Sequence, residues 1–233
     1  MVRIVKEEQY AARRDEILTA AQRLVETKGY RQMTIQDILE DLQISKGAFY
    51  HYFRSKHALL DAIIERMQGE VEQLATPIVQ DPHLPALEKL QRLFTMLARW
   101  KTAQKEFFLA LLNVWYMEDN ALVRQKTFTT SVEKVAPMLT EIIHQGIREG
   151  ALKTSYPDQA GEIVLYILQG VNETFARLLL SAEPSRDNLK GLEKTVAAYS
   201  DALERVLGAV PGSIHLVDVH TLQEWLTPQS QIA

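Results

Sequence analysis

The sequence contains no cysteine, and this absence excludes several classes of protein. Disulfide frameworks, thiolate nucleophiles, iron–sulfur clusters and thiolate zinc sites all require cysteine. Long apolar runs are also absent: the longest, residues 107–112 and 163–168, are six residues each, whereas a membrane span needs about 20. We therefore expect a cytoplasmic protein with no membrane partner and no cofactor. No metal ion is expected either, because neither His51 nor His144 has a second His or acid at i+3 or i+4 in a pattern that would close a site.

The chain also lacks the sustained alternation of apolar and polar residues that indicates a half-buried strand. Apolar residues instead recur at spacings of three and four, which predicts an all-α protein. The first helix is expected to end at Gly29, because glycine often caps a helix C-terminus. Three further helices are expected to follow the N-cap residues Thr34, Ser45 and Ser55, with Asp37 completing a capping box at the first of them.

Longer helical patterns occupy the rest of the chain. Prolines predict a loop over residues 77–85, and Pro137 should kink or divide the segment 119–148. Gly146 and Gly150 are expected to end that segment. The other helices are predicted over about residues 85–103, 107–117, 157–182 and 185–208. The tail contains one short apolar-periodic piece, Val219 to Leu226, to which the sequence assigns no role.

Charge is distributed unevenly along the chain. The formal net charge is −4, from 26 Lys and Arg against 30 Asp and Glu. Residues 42–60 contain Lys46, Arg54 and Lys56 and no acid, so this window carries +3 and leaves −7 for the rest of the chain. A basic patch is expected where a protein contacts the phosphate backbone of a nucleic acid.

Two short helices joined by a tight turn in this window have the arrangement of a helix-turn-helix, whose second helix can enter a major groove. The start of that helix favours a phosphate, because its backbone N–H groups and its dipole face outward. Candidate contacts lie there, further along the same helix, and at the starts of its neighbours: Thr34, Ser45, Lys46, Gly47, Tyr50, His51 and Lys56. On composition alone, ordinary helix caps and surface charges explain these residues equally well.

The order of residues in this region is more specific than their composition. Gly29-Tyr30 and Thr34-Ile35-x-Asp37-Ile38 are followed, over residues 45–56, by Ser-Lys-Gly-x-Phe-Tyr-x-Tyr-Phe-x-Ser-Lys. This pattern closely resembles the DNA-binding domain of the TetR family of bacterial transcriptional regulators, over about residues 10–60. The resemblance implies a homodimer that binds a pseudo-palindromic operator in double-stranded DNA.

The resemblance also implies roles for individual residues. The seven candidates named above match family positions that touch DNA. Tyr50 and Lys56 match positions that usually hold phosphates. Lys46, Gly47 and His51 match positions that lie near base edges.

Other positions in the motif match core residues or depart from the family pattern. Phe49, Tyr52 and Phe53 are expected to pack inside the small domain or brace the next helix. Gln43 stands where the family often has glycine, so the turn is expected to have a slightly different backbone. Ala48 replaces a hydroxyl residue, which leaves only apolar contact, for example with a thymine methyl group.

By the same resemblance, the larger part of the chain forms a helical bundle that dimerises through its last two long helices and often encloses a pocket for an inducer. Gly161, Gly170 and Ala176 allow close helix approach there. Candidate contacts for a small apolar or aromatic ligand are Trp100, Phe108, Asn113, Trp115, Tyr116, His144, Tyr166, Gln169 and Asn172. The alternative is that most of them are core or interface residues, as aromatics at helical spacing usually are.

We therefore expect a DNA-binding domain over residues 1–55, a regulatory and dimerisation domain over 56–210, and a tail of unassigned role over 211–233. The predicted function is a repressor that a small-molecule inducer releases from its operator. The alternative is a similar DNA-binding protein that is controlled by a protein partner and has no small-molecule pocket. No catalytic residues are predicted, because the chain has no Gly-rich phosphate loop and no nucleophile with a recognisable base.

Overall fold

The computed structural model describes residues 2–117, 120–180 and 186–226, apart from the side chains at 2–6, 113, 186–189 and 226. Within these ranges the chain forms ten α-helices and no strand, which confirms the all-α prediction. The helices are α1 (Val2–Lys28), α2 (Ile35–Leu42), α3 (Lys46–Tyr52), α4 (Lys56–Gln80), α5 (Ala86–Ala103), α6 (Lys105–Trp115), α7 (Ala121–Arg148), α8 (Pro157–Leu180), α9 (Arg186–Leu207) and α10 (Val219–Leu226).

The chain divides into two compact units. The first unit comprises Met1–Glu70 and Glu106–Ala121, and it includes α1, α2, α3, the first part of α4 and most of α6. The second unit comprises Val71–Lys105 and Leu122–Ala233. The functional boundaries expected at residues 55 and 210 stay a prediction.

Helical periodicity accounts for the core of the first unit. Its fully or almost fully buried side chains include Ile17, Leu18, Ala21, Val25, Ile38, Leu39, Phe49, Phe53, Leu59, Leu60 and Ile63. Burying each large apolar side chain stabilises the fold by about 1.5–3 kcal/mol. Arg66 adds a polar clasp between α4 and α1, because its guanidinium donates to Asp15 and Thr19 at 3.0 Å each and to Gln22 at 2.5 Å.

The loop predicted to begin at Pro77 is wrong there, because α4 continues through this proline and the loop is confined to the residues between α4 and α5. Of the two outcomes predicted at Pro137, a kink or a division, α7 does not show the division. A proline removes one backbone hydrogen bond from a helix, and the packing of a long apolar face can outweigh that loss. In the turn before Pro77, Thr76 Oγ1 donates to the carbonyl oxygen of Glu72 at 2.7 Å.

The predicted helix ends at glycine are correct in two cases and wrong in one. Gly29 and Gly150 lie just beyond the ends of α1 and α7 with φ of +76° and +73°, the left-handed conformation that glycine adopts without strain. Gly146, however, lies inside α7. A Cβ at Gly146 would be 2.5 Å from Cδ1 of Leu152, so this glycine makes room for the chain that follows the helix.

The tail after Pro211 belongs to the second unit. Its helix α10 has the bounds of the apolar-periodic piece seen in the sequence, and it packs against α5 and α9. Two side chains hold the preceding loop: the buried Glu204 accepts from the N–H groups of Gly212 and Ile214 at 2.9 Å each. Gln91 exchanges two hydrogen bonds of 3.0 Å with the backbone of His215.

The overall composition of helix α8 is more apolar than the length of its longest unbroken apolar run indicates. Among the described residues it is the one helix whose length and composition would suffice to cross a membrane, although polar residues from Gln169 onward interrupt its apolar runs. Ala160, Val164 and Val171 form a stripe that packs into the core of the second unit. Only 17% of the residues in its most apolar window are buried; the others include partly buried side chains that pack on the core, such as Leu165 and Ile167, and the exposed Ile163 and Tyr166.

The predicted close approach at two glycines of α8 occurs within the chain. A Cβ at Gly161 would overlap the carbonyl oxygen of Ala136 on α7, and a Cβ at Gly170 would be 2.7 Å from the hydroxyl of Tyr199 on α9. These two glycines therefore set the packing of α8 against its neighbours in the same protomer.

Candidate nucleic-acid interface

The first unit contains the predicted helix-turn-helix, built from α2, a three-residue turn and α3. The turn closes through bonds from the N–H of Gln43 to Glu40 O at 3.3 Å and from the N–H of Ile44 to Leu39 O at 3.0 Å. Gln43 has φ 52° and ψ 42°, which is the left-handed region. Gln43, the residue that departs from the family pattern, thus has a backbone conformation that favours glycine.

Gln43→Gly is therefore expected to stabilise the protein by about 0.5–1 kcal/mol, since relief of left-handed strain exceeds the extra entropy of glycine in the unfolded chain. Urea unfolding followed by circular dichroism measures the difference. Gln36→Gly, at an exposed position inside α2, is the matched control and should destabilise by a similar amount. A destabilised Gln43→Gly variant would contradict the strain argument.

The start of α3 has the form expected of a phosphate-binding helix N-terminus. Ser45 is the N-cap, and its Oγ accepts from the N–H of Ala48 at 3.1 Å. The exposed residues Lys46 and Gly47 follow in the first turn. Among the described residues, a Cβ at Gly47 would meet nothing closer than Ser45 Oγ at 3.9 Å, so none of them requires glycine here. Its missing side chain leaves room for an external group close to the backbone.

The two faces of α3 are sharply different. Phe49 is fully buried and Phe53, its C-cap, is 3% exposed, as the motif predicts. Tyr50 and His51 are exposed on the opposite side. The helix is therefore anchored by two buried rings and presents Tyr50 and His51 to solvent, as a recognition helix must.

Thr34 has the capping role predicted for it. Its hydroxyl accepts from the N–H of Asp37 at 3.1 Å, and Asp37 accepts in return from the N–H of Thr34 at 2.7 Å. A hydrogen bond from Lys28, followed by those from Thr34, lowers the pKa of Asp37 to about 2. This stabilisation is complete above the ordinary pKa of an aspartate and is lost as the pH falls through about 2.

Lys56 has an intramolecular role that the motif did not reveal. Its Nζ donates to the carbonyl oxygens of Tyr30 at 2.5 Å and Arg31 at 3.4 Å, and it lies 4.4 Å from the centre of the Tyr30 ring. Burial lowers the pKa of Lys56, and the charge of Asp37 opposes that shift. Burial also raises the pKa of Tyr30 to about 12, with a smaller contribution from Asp61. Lys56 thus fixes the start of α4 against the chain that follows α1.

Ion pairs neutralise two acids of α2 and leave two cations beyond it exposed. Lys28 pairs with Asp37 at 2.6 Å, and Arg23 pairs with Asp41 at 2.5 Å. Lys46 and Arg54 are exposed, and neither forms an ion pair with another residue that the structure describes. The positive charge counted in the sequence is therefore available to an external partner at the surface around α3.

Sequence reasoning missed Tyr10, which packs near the exposed end of α3. Its ring is 4.7 Å from that of Tyr52 and 5.6 Å from that of His51, centre to centre. The sequence gives no sign of this contact, because Tyr10 is 41 residues before His51 and lies on a polar stretch of α1. Tyr10 orients His51, which the family pattern associates with base contacts.

The residues predicted to contact a ligand fall in both units. Phe108, Asn113, Trp115 and Tyr116 belong to the first unit, and the side chain of Asn113 lies outside the described residues. The second unit contains the other five: Trp100, His144, Tyr166, Gln169 and Asn172. The ligand-contacting set stays a prediction.

Within the second unit, all five residues interact with other residues of the chain. His144 Nε2 lies 2.9 Å from Asp158 Oδ1, and Gln169 donates to Glu173 at 3.2 Å. Tyr166 packs edge-on against the ring of Phe128 at 5.2 Å. Asn172 accepts from Lys101 at 3.0 Å.

An open groove of about 510 Å³ lies in the second unit, between α5 and the start of α10. Its lining carries both signs of charge and consists of Arg99, Thr102, Asp218, His220, Thr221 and Glu224. None of the sequence-predicted ligand residues lines it. The sequence analysis missed this groove because it assigned no role to the tail, which supplies most of the lining.

Comparison with known proteins identifies both parts of the chain. The family model described as bacterial regulatory proteins, tetR family, matches residues 17–63, which include α2, α3 and the turn between them. A second model, described as the C-terminal domain of tetracyclin repressor-like proteins, matches residues 114–173.

Individual relatives agree with these matches. The chain is 27% identical over 154 residues to the uncharacterised HTH-type transcriptional regulator YhgD of Bacillus subtilis, covering 64% of this chain and 76% of YhgD. It is 34% identical over 67 residues to the HTH-type transcriptional repressor NemR of Escherichia coli, covering 29% of this chain and 34% of NemR. The crystal structure of a TetR-family transcriptional regulator from Pectobacterium atrosepticum has the same fold, with a TM-score of 0.63, 19% identity, and coverage of 86% of this chain and 96% of that one.

The helix-turn-helix geometry, the two matched family models and the related regulators lead to one conclusion. The all-helical chain combines an N-terminal DNA-binding unit with a C-terminal helical domain of the kind found in repressors. The protein is a DNA-binding transcriptional regulator and not an enzyme, and it belongs to the TetR family of bacterial regulators.

Proposed function

We propose that the protein is a homodimeric repressor, acting in the cytoplasm, that leaves a pseudo-palindromic operator when a small molecule binds its C-terminal helical part. The observation that carries this proposal is the exposed face of α3, with Lys46, Gly47, Tyr50 and His51 on a helix anchored by buried rings. Lys46, Tyr50 and His51 are exposed on this face, where an external partner can reach them.

Each protomer would insert α3 into a major groove. Backbone N–H groups at Lys46 and Gly47 would approach a phosphate or base edge, while the hydroxyl of Tyr50 would bind a neighbouring phosphate. His51 would contact base edges and so contribute to sequence preference. Thr34, Ser45 and Lys56 support the interface from the helix starts, and the methyl group of Ala48 offers apolar contact.

The outward face of α8 supports the homodimer. Ile163 is 39% exposed and Tyr166 is 56% exposed on α8 in a single chain. Pairing α8 and α9 with their copies in a second protomer would bury this surface in a four-helix interface. A two-fold dimer in turn fits an operator with two half-sites about one helical turn apart.

Control by a ligand requires a large difference in affinity between two states. To change operator occupancy from 99:1 to 1:99, the inducer must bind the released state about 5.5 kcal/mol more tightly than the DNA-bound state. The residues proposed for that contact are the predicted aromatic and polar set in the middle of the chain. Such a ligand needs several simultaneous contacts, because no single neutral hydrogen bond contributes that much.

Lys56→Ala is expected to weaken binding to the preferred operator and to unrelated DNA by the same factor. Loss of one phosphate contact should also reduce the slope of log affinity against log salt by about one. The operator is first selected from a random duplex library with the full chain, and affinities are then measured by fluorescence anisotropy at several salt concentrations.

Two controls accompany this experiment. Lys126→Ala, at an exposed position on α7, should leave the salt slope unchanged. Because Lys56 also holds two backbone carbonyls, unfolding curves must first show that the variant is folded at the assay temperature. An unchanged slope in folded Lys56→Ala would show that Lys56 does not contact phosphate.

A second candidate function is supported by the same uncovered face of α8. A protein partner other than a second copy could cover Ile163 and Tyr166, and would then control DNA binding without a small-molecule pocket. Sedimentation of the purified protein tests this use of the α8 face: a monomer that binds the operator only with a partner supports it, and a dimer that pairs through α8 excludes it.

A further inference from the structure

Helix α1 continues beyond the core of the first unit and passes the C-terminal end of α3. Its buried face begins at Ile17, and by helical spacing Arg14 and Tyr10 lie one and two turns earlier on the same face. The guanidinium carbon of Arg14 lies 5.4 Å from the centre of the Phe53 ring. Tyr10, one turn before Arg14, contacts the ring of His51. Two side chains of α1 thus pack on the residues with which α3 ends.

Three rings form a cluster where α1 meets α3. The ring of Tyr10 is 4.7 Å from that of Tyr52, with 34° between their planes, and 5.6 Å from that of His51, with 80° between their planes. Tyr52 is also edge-on to His51, at 5.1 Å and 84°. Both contacts of the imidazole have the edge-to-face geometry that aromatic pairs prefer. His51 is therefore held by a neighbour on its own helix and by a residue of another helix.

The cluster holds the imidazole and leaves it accessible. His51 is exposed and Tyr10 is 40% exposed, so the rings lie at the surface of the unit. No hydrogen bond or ion pair joins the His51 ring to another residue that the structure describes. Its two ring nitrogens are therefore available to the donors and acceptors of base edges.

A fixed imidazole differs from a free one in how well it distinguishes bases. An exposed side chain on a helix ordinarily samples several rotamers, and binding must select one of them at a cost in affinity. A ring contact that favours one orientation before DNA binds reduces this cost only for bases that match the orientation. The contact therefore increases discrimination between bases more than it increases affinity for DNA in general.

The stability of α3 does not by itself account for the Tyr10 contact. Phe49 and Phe53 already anchor this helix in the core, where they are 0% and 3% exposed. A contact that served only to stabilise α3 would support binding to every DNA sequence equally. The two roles thus differ in a measurable quantity, the ratio of affinities for different sequences.

We propose that Tyr10 is a positioning residue for DNA recognition, whose ring fixes the imidazole of His51 in the orientation that distinguishes bases. Tyr10 acts through His51 and does not itself touch DNA. The inference rests on the proposed insertion of α3 into a major groove, and it adds a residue of α1 to those that determine operator choice.

The test measures base preference with the full chain. A duplex is first selected from a random library, and labelled duplexes then carry each single base-pair replacement in turn. Fluorescence anisotropy gives the affinity for each of them and for an unrelated duplex. His51→Ala identifies the base pairs that His51 distinguishes. Tyr10→Ala should reduce discrimination at those same base pairs by about threefold to tenfold and leave the affinity for unrelated DNA unchanged.

Further variants separate positioning from other roles of Tyr10. Adding Tyr10→Ala to His51→Ala should cause no further loss of discrimination, because Tyr10 acts through His51. Tyr10→Phe keeps the ring and should keep the preference, which excludes a direct contact of the hydroxyl with DNA. Gln9→Ala, at the exposed neighbouring position of α1, is the matched control and should behave like the unchanged protein.

Unfolding curves establish that each variant is folded at the assay temperature. If Tyr10→Ala is not folded there, Tyr10→Leu takes its place, because leucine keeps apolar bulk at this position and lacks the ring. Discrimination should fall in Tyr10→Leu as it does in Tyr10→Ala.

Three results would overturn the inference: discrimination that is unchanged in His51→Ala, equal weakening of all duplexes in a folded variant that lacks the Tyr10 ring, or the same loss in Tyr10→Phe as in Tyr10→Ala. Failure of the proposed function has a different outcome. A chain that selects no preferred duplex contradicts the proposed operator, and the inference with it. If a preferred duplex is selected and discrimination persists in Tyr10→Ala, operator binding stands and the positioning role is wrong.

Discussion

Ile163→Glu is expected to convert the protein to a monomer and to lower its affinity for a two-half-site operator by about 100-fold or more. Ile163 lies on the outward face of α8 and is 39% exposed in a single chain. A two-fold interface contains each residue twice, so one substitution introduces two carboxylates into a surface that must lose its water. Two like charges that are buried together in an interface without water strongly disfavour association of the two protomers.

The effect on DNA follows from how two half-sites are read. In a dimer, the first α3 that binds presents the second to its half-site at a high effective concentration. A monomer loses that advantage but keeps its contacts to one half-site, so its weak binding to single half-sites should be unchanged. Analytical ultracentrifugation reports the assembly state, and anisotropy with full and half operators reports the two affinities.

Leu122→Glu is the matched control for this prediction. Leu122 lies in the first turn of α7, is 79% exposed and belongs to the same unit as Ile163. The same change of charge there should leave both the dimer and DNA binding intact. If Ile163→Glu remains a dimer with unchanged operator affinity, α8 does not form the interface, and the proposed pairing of the last two long helices is wrong.

Local features of the fold could be predicted from the sequence because their causes lie within a few residues. Thr34, Ser45 and Ser55 each cap a helix with their own hydroxyl, and Asp37 completes the box at the first. A helix cap forms through hydrogen bonds between neighbouring residues and depends little on the tertiary structure around it. The prolines show the limit of that reasoning, since Pro77 lies inside α4 where packing outweighs a local preference.

The parts of the site that could not be predicted depend on contacts between distant residues. Tyr10 contacts His51 on α3, which is 41 residues later in the sequence, and Lys56 contacts Tyr30, which is 26 residues earlier. Gln43 appeared as a departure from the family pattern, while its left-handed backbone became visible only in the structure.

Gly161→Ala is expected to destabilise the protein by about 1–3 kcal/mol or more, because the added methyl group has no room. Its Cβ would overlap the carbonyl oxygen of Ala136 and the hydroxyl of Thr140, and would lie 2.9 Å from the backbone nitrogen of Thr140. Backbone atoms of a packed helix cannot rotate away as a side chain can. Relief therefore requires α7 and α8 to separate, which loosens the core between them.

Two other glycines provide a graded comparison in the same unit. Gly170→Ala meets the ring and hydroxyl of Tyr199, which can move, so it should cost less than Gly161→Ala. Gly191 on α9 has nothing within 4 Å of its Cβ position, and Gly191→Ala should stabilise by about 0.5–1 kcal/mol through helix propensity. Urea unfolding at one fixed protein concentration gives all three values, since a dimer's stability depends on concentration. If Gly161→Ala were as stable as Gly191→Ala, the close approach of α7 and α8 would not exist.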